Sequence, residues 1–331
     1  MAETGLRVGV VGAGSWGTAL AQAVARAGHR AMILSRRDDV VEDINRHHRN
    51  HSYLGNRVLL DGVSATRDPV EMGQCELIIL AVPAQATRTT LTTLVREFDA
   101  PLVLTAKGFE ASSLELQSEV VGQCAPGADC VVLSGPSFAV DVAKGSPTAV
   151  TLASDDAGAL ELATRALASA SFRPYGSDDM VGVQVAGALK NVYALAAGAV
   201  EGAGLGLSAR SALIARAMAE LARVIAALGG QPATVNSLAG MGDLVLSCTS
   251  EQSRNYRFGL ELGRGKQPDD IRNMGIGLAE GVFTAPAAWQ LARNYQVDAP
   301  LIEAVNLVLM GRIQIQAVVD MLMTRPLKQE G

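Results

Sequence analysis

The sequence LRVGVVGAGSWGTALA, residues 6–21, decides the fold of the first half of the chain. It joins a valine-rich run to a helix-like run of small residues through Gly12, Gly14 and Gly17, spaced as G-x-G-x-x-G. In this spacing the first glycine permits a tight turn, the second lets a pyrophosphate approach the backbone, and the third allows close helix–strand packing. The helix N-terminus then favours the phosphate charge. The stretch predicts a dinucleotide-binding turn, with a glycine-rich turn that binds no ligand as the alternative.

Roughly the first 180 residues repeat this alternation of short apolar runs and helical segments. We expect a helix from Ser15 to about Ala27 and further strands at MILSR, ELIILAV, PLVLTAK, CVVLSG and PTAVTLA. Continuous Val, Ile and Leu runs between helices are typical of strands that are buried on both faces. Residues 1–180 are therefore predicted to form an α/β, Rossmann-like domain with a doubly wound, mostly parallel sheet.

From Val181 onward the chain is rich in Ala, Leu and Gly at helical spacing, which predicts an all-α domain over residues 181–331. The boundary is expected near residues 176–180. We expect helices near 181–201, 208–228, 255–265, 280–293, 298–310 and 314–323. The longest apolar run, VGVQVAGALKNVYALAAGAV, carries polar breaks and glycines, so it is interpreted as a core helix and not as a membrane span.

Composition disfavours several classes of protein. With 331 residues, 49% of them hydrophobic and 18% charged, the chain is long and apolar enough for two well-packed cores. No Lys/Arg tract marks a nucleic-acid site, and an aromatic content of 4% disfavours base stacking. The four cysteines lack C-x-x-C spacing, so we expect neither a metal site nor a disulfide framework. The N-terminus enters a strand directly, without the pattern of a signal peptide, and we expect a cytoplasmic protein.

The end of the second predicted strand bears on the choice of cofactor. An NAD-selective site usually has Asp or Glu about 20 residues past the glycine turn, where it holds the ribose 2′-hydroxyl. Here the strand ends in Ser35-Arg36-Arg37, and two arginines suit a 2′-phosphate through charge-assisted hydrogen bonds. The alternative is a solvated basic loop whose charge is balanced by Asp38 and Asp39. We expect NADPH to be favoured, with NADH accepted as well.

Reduction of a carbonyl with a nicotinamide needs a proton donor, and histidine is the usual candidate. All four histidines lie early in the nucleotide half, at 29, 47, 48 and 51, and no tyrosine is followed by lysine four places on. A lysine amine can release a proton when burial lowers its pKa, whereas arginine cannot. Lys190 lies in the apolar stretch GALKNVYALAAG, and Lys107 follows a strand in LVLTAKGFE. The alternatives are a helix-edge lysine that extends to solvent and an ordinary loop charge.

Three further segments contain polar residues that are candidates for the site. Asp243, in LAGMGDLVLSCTS, is suited either to orient a lysine ammonium or to cap a helix. The run Ser253-Arg254-Asn255 suits a phosphate, with Arg254 as the charged clamp; a helix cap with a surface arginine is the alternative. In LSGPSFA, residues 133–139, backbone N–H groups and the Ser137 hydroxyl are candidates to meet cofactor or substrate, unless the segment is a plain β-turn.

These motifs occur together in one known family. From about Val8 to Leu322 the chain resembles the bacterial-type NAD(P)-dependent glycerol-3-phosphate dehydrogenases, through GAGSWGTALA, TAKG, LSGPSFA, GALKNVYA, LAGMGDLVLSCTSEQSRNYRFG and the AEG at 279–281. The resemblance implies a reversible reduction of dihydroxyacetone phosphate to sn-glycerol 3-phosphate, which supplies glycerophospholipid synthesis.

The resemblance also implies residue roles. Lys190 matches the proton donor or acceptor of the family, Asn191 matches a neighbour that helps to hold the substrate, and Lys107 and Asp243 complete the expected catalytic centre. The expected substrate contacts are Lys107, Gly135, Ser137, Lys190, Asp243, Ser253, Arg254 and Asn255. The expected cofactor contacts are Gly12, Gly14, Ser15, Trp16, Gly17, Arg36, Arg37, Tyr53, Lys107, Ala139, Arg254, Leu278 and Glu280.

The chain departs from the family pattern at three places. Trp16 stands where Phe or Tyr also occur, Asp141 stands where Glu is more usual, and NHSYLGN lacks the proline that often follows its leucine.

Two other functions remain as alternatives: a different lysine-using reductase, of the 6-phosphogluconate or β-hydroxyacid dehydrogenase type, and a non-catalytic dinucleotide sensor. The SRN and GMGD segments favour the glycerol phosphate family over the first. A sensor would have no need of Lys107, Lys190 and Asp243 together. The apolar helical half leads us to expect a homodimer.

Overall fold

One sheet organises the first half of the molecule. A computed structural model describes residues 5–94 and 99–326; the outer ends of the two predicted domains, residues 1–4 and 327–331, lie outside the described residues. Within these ranges the sheet has eight strands: β1 Arg7–Val11, β2 Arg30–Leu34, β3 Val63–Thr66, β4 Leu77–Leu80, β5 Leu102–Leu104, β6 Cys130–Ser134, β7 Thr148–Ala153 and β8 Phe172–Ser177.

The strand order is β3-β2-β1-β4-β5-β6-β7-β8, and neighbouring strands are parallel except for the antiparallel pair β6–β7. The first six strands have the Rossmann order. From β1, the strands β2 and β3 extend to one side of the sheet and β4, β5 and β6 to the other, so the order of the strands switches between β1 and β4. Ligands of such sheets bind outside the carboxyl ends of the strands at this point. The predicted doubly wound, mostly parallel sheet is confirmed.

Two strands of the sheet, β3 and β8, are missing from the sequence prediction. The four residues of β3 read VSAT, too short and too polar to stand out as a buried run. The sequence of β8, FRPYGS, contains a proline and a glycine, which argue against a strand. Proline is tolerated here because β8 is at the edge of the sheet, where a missing N–H costs no ladder hydrogen bond.

Helices cover both faces of the sheet. On β4, Leu77 and Ile79 belong to one apolar cluster and Ile78 and Leu80 to another, because successive side chains of a strand point to opposite faces. The helices of this half are α1 Ser15–Arg26, α2 Asp38–His47, α3 His51–Leu54, α4 Thr87–Leu94, α5 Gln117–Cys124, α6 Ala139–Lys144 and α7 Ala157–Leu167.

The second half is helical. Its helices are α8 Met180–Gly202, α9 Gly206–Ala227, α10 Asp243–Cys248, α11 Arg254–Gly263, α12 Pro268–Arg272, α13 Gly281–Asn294, α14 Pro300–Leu309 and α15 Ile315–Met323. The six predicted helices correspond to α8, α9, α11, α13, α14 and α15, with ends that agree within two residues. The short helices α10 and α12 were not predicted, because five or six residues carry little periodicity.

Helix α8 is the centre of the helical half. By length and composition it could cross a membrane, but 89% of its most apolar window is buried inside the protein, where it packs as a core helix. Glycines allow α11 to approach it closely: a Cβ at Gly198 would lie 2.0 Å from the carbonyl oxygen of Tyr256, and one at Gly259 would lie 2.0 Å from that of Leu195. This packing fixes the depth and rotation of α8, which carries Lys190.

Candidate active site

The glycine turn after β1 has the backbone geometry that its sequence predicts. Gly12 has a φ of 112°, in the region that favours glycine, and a Cβ there would lie 2.6 Å from the carbonyl oxygen of Ala81, after β4. A Cβ at Gly17 would lie 2.0 Å from the carbonyl oxygen of Gly12. Two of the three glycines are therefore required by the protein's own packing, which brings the start of α1 against the sheet.

A second group of predicted residues lies at the end of β2. Arg37 Nε donates to Asp39 Oδ1 at 3.0 Å and Arg37 Nη2 donates to Asp39 Oδ2, which makes a bidentate ion pair. Arg36 is exposed, and within the described parts of the chain it forms no hydrogen bond or ion pair. Tyr53 belongs to the same neighbourhood, since its carbonyl oxygen accepts a hydrogen bond from Ser15 Oγ at 3.0 Å.

The buried centre of the site joins two lysines to one aspartate. Lys190 Nζ, on α8, lies 2.9 Å from Asp243 Oδ1, and Lys107 Nζ, after β5, lies 2.5 Å from Asp243 Oδ2. The Asp243 side chain is 1% exposed, and those of Lys190 and Lys107 are 11% and 14% exposed. Asp243 opens α10 directly after the π-helical turn Leu238–Gly242, which corresponds to the LAGMG of the predicted motif. In the structure Asp243 pairs with two lysines, and it is also the first residue of α10.

The electrostatics of this cluster follow from burial and from mutual attraction. Burial lowers the pKa of Lys107, and Lys190 acts in the same direction, whereas the carboxylate of Asp243 opposes both. Burial would by itself raise the pKa of Asp243, but the two ammonium groups outweigh it and hold this pKa below its ordinary value. Asp243 is therefore an ionised carboxylate, and the three charges sum to +1 when both lysines are protonated.

A chain of amide hydrogen bonds supports the cluster from behind. The backbone N–H of Gly281 donates to Asn255 Oδ1 at 2.9 Å, Asn255 Nδ2 donates to Asn191 Oδ1 at 2.8 Å, and Asn191 Nδ2 donates to the carbonyl oxygen of Lys107 at 3.1 Å. This amide chain joins α13, α11 and α8 to the loop after β5. It fixes the backbone of Lys107 relative to the helix that holds Lys190.

The turn after β6 closes the other side of the cluster. The carbonyl oxygen of Gly135 accepts hydrogen bonds from Lys107 Nζ at 3.2 Å and from Ser137 Oγ at 3.1 Å. Gly135 has a φ of 148°, and a Cβ there would lie 2.9 Å from Cα of Val150 on the neighbouring strand. Ala139, a predicted cofactor contact, begins α6 just beyond this turn. The LSGPSFA segment therefore contributes more than a plain β-turn, because its carbonyl positions Lys107.

The SRN segment begins α11. Ser253 caps this helix, accepting a hydrogen bond from the N–H of Tyr256 at 3.3 Å, so the cap predicted as an alternative is present. Arg254 is exposed and borders the glycine-rich loop before α13, where a Cβ at Gly277 would lie 3.3 Å from Arg254 Cδ. Burial raises the pKa of Glu280 on that loop, although Arg254 and the two lysines of the cluster oppose the rise. The exposed Leu278 lies on the same loop.

One residue of the cluster was missed in the sequence. Ser247 Oγ accepts a hydrogen bond from Lys190 Nζ at 2.8 Å, and the residue is fully buried. It stands four places after Asp243, so both side chains lie on one face of a helix. The four-residue spacing of Asp243 and Ser247 is visible in the DLVLS sequence. It places the two side chains together only if a helix begins at Asp243.

Comparison with known proteins now places the chain. The N-terminal family model of the NAD-dependent glycerol-3-phosphate dehydrogenases matches residues 7–160, and the C-terminal model matches residues 179–320. The chain belongs to this family. The resemblance predicted from the sequence is confirmed, and the protein is an oxidoreductase with a nicotinamide cofactor.

One relative and two solved structures, all of them glycerol-3-phosphate dehydrogenases, match nearly the whole chain. A glycerol-3-phosphate dehydrogenase (NAD(P)+) of Caulobacter vibrioides is 45% identical over 327 residues, which cover 98% of this chain and 99% of the relative. The crystal structure of a glycerol-3-phosphate dehydrogenase from Coxiella burnetii matches with a TM-score of 0.92 at 34% identity, covering 97% of this chain and 99% of that one. The corresponding enzyme of Saccharomyces cerevisiae matches with a TM-score of 0.84 at 25% identity over 96% and 99% of the two chains.

The glycine turn of this dehydrogenase fits a dinucleotide. A Cβ at Gly14 would meet no described atom within 4 Å, so this glycine, unlike Gly12 and Gly17, faces open space. Helix α1 begins at Ser15 without a side-chain cap, so no capping side chain occupies the first N–H groups of this helix. A pyrophosphate placed there would meet the positive end of the helix.

Proposed function

We propose that this dehydrogenase reduces dihydroxyacetone phosphate to sn-glycerol 3-phosphate, reversibly, with Lys190 as the general acid. The observation that carries this proposal is the hydrogen bonding of the Lys190 ammonium. An ammonium has three donors. One points to Asp243 and another to Ser247, so one N–H remains for a substrate oxygen. The side chain is held in a single orientation with a proton ready for transfer.

Reduction of the carbonyl group of the substrate needs both a hydride and a proton. Reduced nicotinamide, when bound, supplies a hydride to the C2 carbonyl carbon of the substrate. As negative charge develops on the carbonyl oxygen, Lys190 donates a hydrogen bond and then its proton, which completes the hydroxyl group. Asp243 holds both lysines in place, and its carboxylate keeps their charges together in a buried site. Stabilisation is thus concentrated where charge appears during the reaction.

The other predicted substrate contacts bind and orient the substrate. Ser253, Arg254 and Asn255 lie at the positive N-terminus of α11, and the exposed Arg254 guanidinium is available for the substrate phosphate. A phosphate held there restricts the carbonyl to positions near Lys190. Lys107 uses two of its three donors on Asp243 and Gly135, which leaves one for the substrate. Asn191 and Asn255 keep this arrangement rigid through the amide chain.

The cofactor would be held by the carboxyl ends of β1 and β2. Gly12, Gly14 and Gly17 form the turn for the pyrophosphate, with Ser15 and Trp16 in the first turn of α1. The exposed Arg36 favours NADPH, because a 2′-phosphate gains a charged partner there. Ala139, Leu278 and Glu280 are the proposed contacts nearer the nicotinamide.

The cellular role follows from the product. We infer that the enzyme acts in the cytoplasm and supplies glycerol 3-phosphate for glycerophospholipid synthesis. We further infer two domains, residues 1–180 for the dinucleotide and residues 181–331 for the substrate, and a homodimer formed through the helical half. Light scattering of the purified chain would give twice the monomer mass; the monomer mass would contradict the dimer.

A coupled assay tests the proposed activity. Purified enzyme is mixed with NADPH or NADH and with dihydroxyacetone phosphate, unphosphorylated dihydroxyacetone or a β-ketoacid, and cofactor oxidation is followed. We expect rapid turnover with dihydroxyacetone phosphate, and much slower turnover without the phosphate, since Arg254 then has no partner. Faster reduction of the β-ketoacid would favour the other lysine-using reductases. Tight cofactor binding without turnover on any of these compounds would favour a sensor.

A further inference from the structure

The end of β2 carries two arginines, and among the residues that the structure describes only Arg36 has no side-chain partner. Arg37 is held by Asp39 through two parallel hydrogen bonds, the strongest geometry available to an arginine–carboxylate pair. Arg37 Nη2 also lies 3.3 Å from Ser52 Oγ, and its guanidinium carbon lies 6.0 Å from the centroid of the Tyr53 ring. The Arg37 guanidinium is therefore engaged from three directions.

The acidic partner is itself held in place. Asp38 and Asp39 are the first two residues of α2, where negative charge is favoured by the helix N-terminus. Asp38 binds a different arginine: Arg67 Nη1 lies 2.6 Å from Asp38 Oδ1 and 2.7 Å from Oδ2. Because Asp38 is occupied in this way, Asp39 is left to neutralise Arg37.

We propose that Asp39 sets the cofactor preference of this dehydrogenase by withdrawing Arg37 from the 2′-phosphate of NADPH, so that Arg36 acts alone. The inference rests on the proposed use of NADPH and names the residue that limits it. A site with one free arginine gains some affinity from the 2′-phosphate but does not depend on it. It therefore accepts NADH as well. When NADH binds with its ribose 2′-hydroxyl, only the Arg36 guanidinium lacks a partner, and this exposed group stays solvated.

The pair is exposed, with side-chain accessibilities of 50% for Arg37 and 63% for Asp39. Its loss therefore costs little stability, and the change at Asp39 is expected to act on ligand binding and not on folding. The same exposure limits the size of the effect, because water and salt screen the charges.

Direct binding measurements on the intact enzyme test the proposal. Isothermal titration with NADP+ and NAD+, and with adenosine 2′,5′-bisphosphate and AMP as smaller probes, gives the affinities without turnover. Asp39→Asn should strengthen binding of the two 2′-phosphorylated ligands by about threefold to tenfold and change NAD+ and AMP binding by less than about twofold. Glu42→Gln is the matched control, because it removes an equal charge one turn further along α2, where Glu42 pairs with Arg46.

A double-mutant cycle isolates the mechanism. In an Arg37→Ala background, Asp39→Asn should change NADP+ affinity no more than Glu42→Gln does, since the arginine that it releases is gone. An unchanged NADP+ affinity in Asp39→Asn would overturn the proposal. So would a loss of NAD+ affinity with NADP+ unaffected, which would make Asp39 a ligand of the ribose hydroxyl. If none of the four ligands binds the wild-type enzyme, the proposed cofactor site itself is wrong.

Discussion

The charged side chains of the two candidate sites differ in how far they are exposed to solvent. In the buried centre, one aspartate binds two lysines, and all three side chains are less than 15% exposed. At the end of β2, two arginines and two aspartates are mostly solvated. A buried charge interacts strongly and in one geometry, whereas an exposed charge is screened and adaptable. The difference is consistent with the proposed roles, in which the reaction uses fixed buried charges and cofactor choice uses exposed, adjustable ones.

Removal of the Lys190 ammonium, the proposed proton donor, should have the largest effect. Lys190→Ala is expected to lower kcat by about a thousandfold or more, because both the proton and the stabilising charge are lost. Binding of NADPH, measured by titration, should stay within about twofold of wild type, since Lys190 lies outside the glycine turn. Lys266→Ala serves as the control, because this exposed lysine pairs with Glu261 away from the cluster. Near-normal turnover in Lys190→Ala would remove Lys190 from the mechanism.

Neutralising the shared aspartate should come next. Asp243→Asn leaves two ammonium groups facing each other in a buried site, so kcat/KM is expected to fall by about a hundredfold. The pKa of Lys107, already lowered by burial, should fall further, since Asp243 opposes that lowering more than Glu280 does. The high-pH limb of the kcat/KM profile should therefore move to lower pH.

The exposed Asp269, on α12, provides the matched control for this change. Asp269→Asn should leave both the rate and the pH profile as in wild type. An Asp243→Asn enzyme with an unshifted profile would show that the pKa of Lys107 does not depend on Asp243.

The amide chain is a neutral part of the same rigid centre. Asn255→Ala leaves the N–H of Gly281 and the side-chain oxygen Oδ1 of Asn191 without their partner, which should cost about 1–3 kcal/mol of unfolding free energy. Asn236→Ala, at an exposed position, should cost less than about 0.5 kcal/mol. Urea denaturation of the three proteins measures both values. Equal stabilities would mean that the chain does not hold the site together.

Glu220 is a buried carboxylate outside both sites, and among the described residues it accepts hydrogen bonds from Tyr193 Oη and two backbone N–H groups, not from a lysine. Burial raises the pKa of Glu220 to about 7, although the N–H groups of Leu301 and Ile302 act against this rise. The folded protein thus binds a proton that the unfolded chain has released above its ordinary pKa of 4.5. Stability contributed by this group is present below pH 4.5 and is lost as pH rises through about 7.

Glu220→Gln should remove this dependence. Between pH 5 and 8 the variant is expected to gain stability relative to wild type, by up to about 2 kcal/mol, with the gain growing as pH rises. Urea midpoints at several pH values measure it. A difference between the two proteins that is constant with pH would contradict the raised pKa.

Local sequence was enough for the features that depend on backbone geometry. The glycine turn, the strands with continuous apolar runs and the long helices all follow from spacing and residue type, and so does the likeness to one enzyme family. The strands β3 and β8 escaped because their residues are polar or include proline, and only their neighbours in the sheet make them strands.

The sequence could not predict in the same way which side chains form ion pairs and hydrogen bonds with each other. Lys107 and Asp243 are 136 positions apart, and their ion pair exists because the loop after β5 and helix α10 both contact α8. The sequence shows two arginines at the end of β2, but it does not show which of them an aspartate withdraws. Ser247 became visible only once α10 was known to begin at Asp243. These contacts depend on how elements approach each other, which periodicity does not encode.

Chemical rescue tests the central claim, that Lys190 donates the proton, most directly. Initial rates of dihydroxyacetone phosphate reduction by Lys190→Ala are measured with NADPH and increasing concentrations of methylamine or ethylamine, with wild type and Lys266→Ala alongside. If the missing ammonium is the proton donor, the rate of Lys190→Ala rises with amine concentration while the other two proteins are unaffected. A Lys190→Ala rate that is independent of amine, or a rise of equal size in all three proteins, would contradict the account.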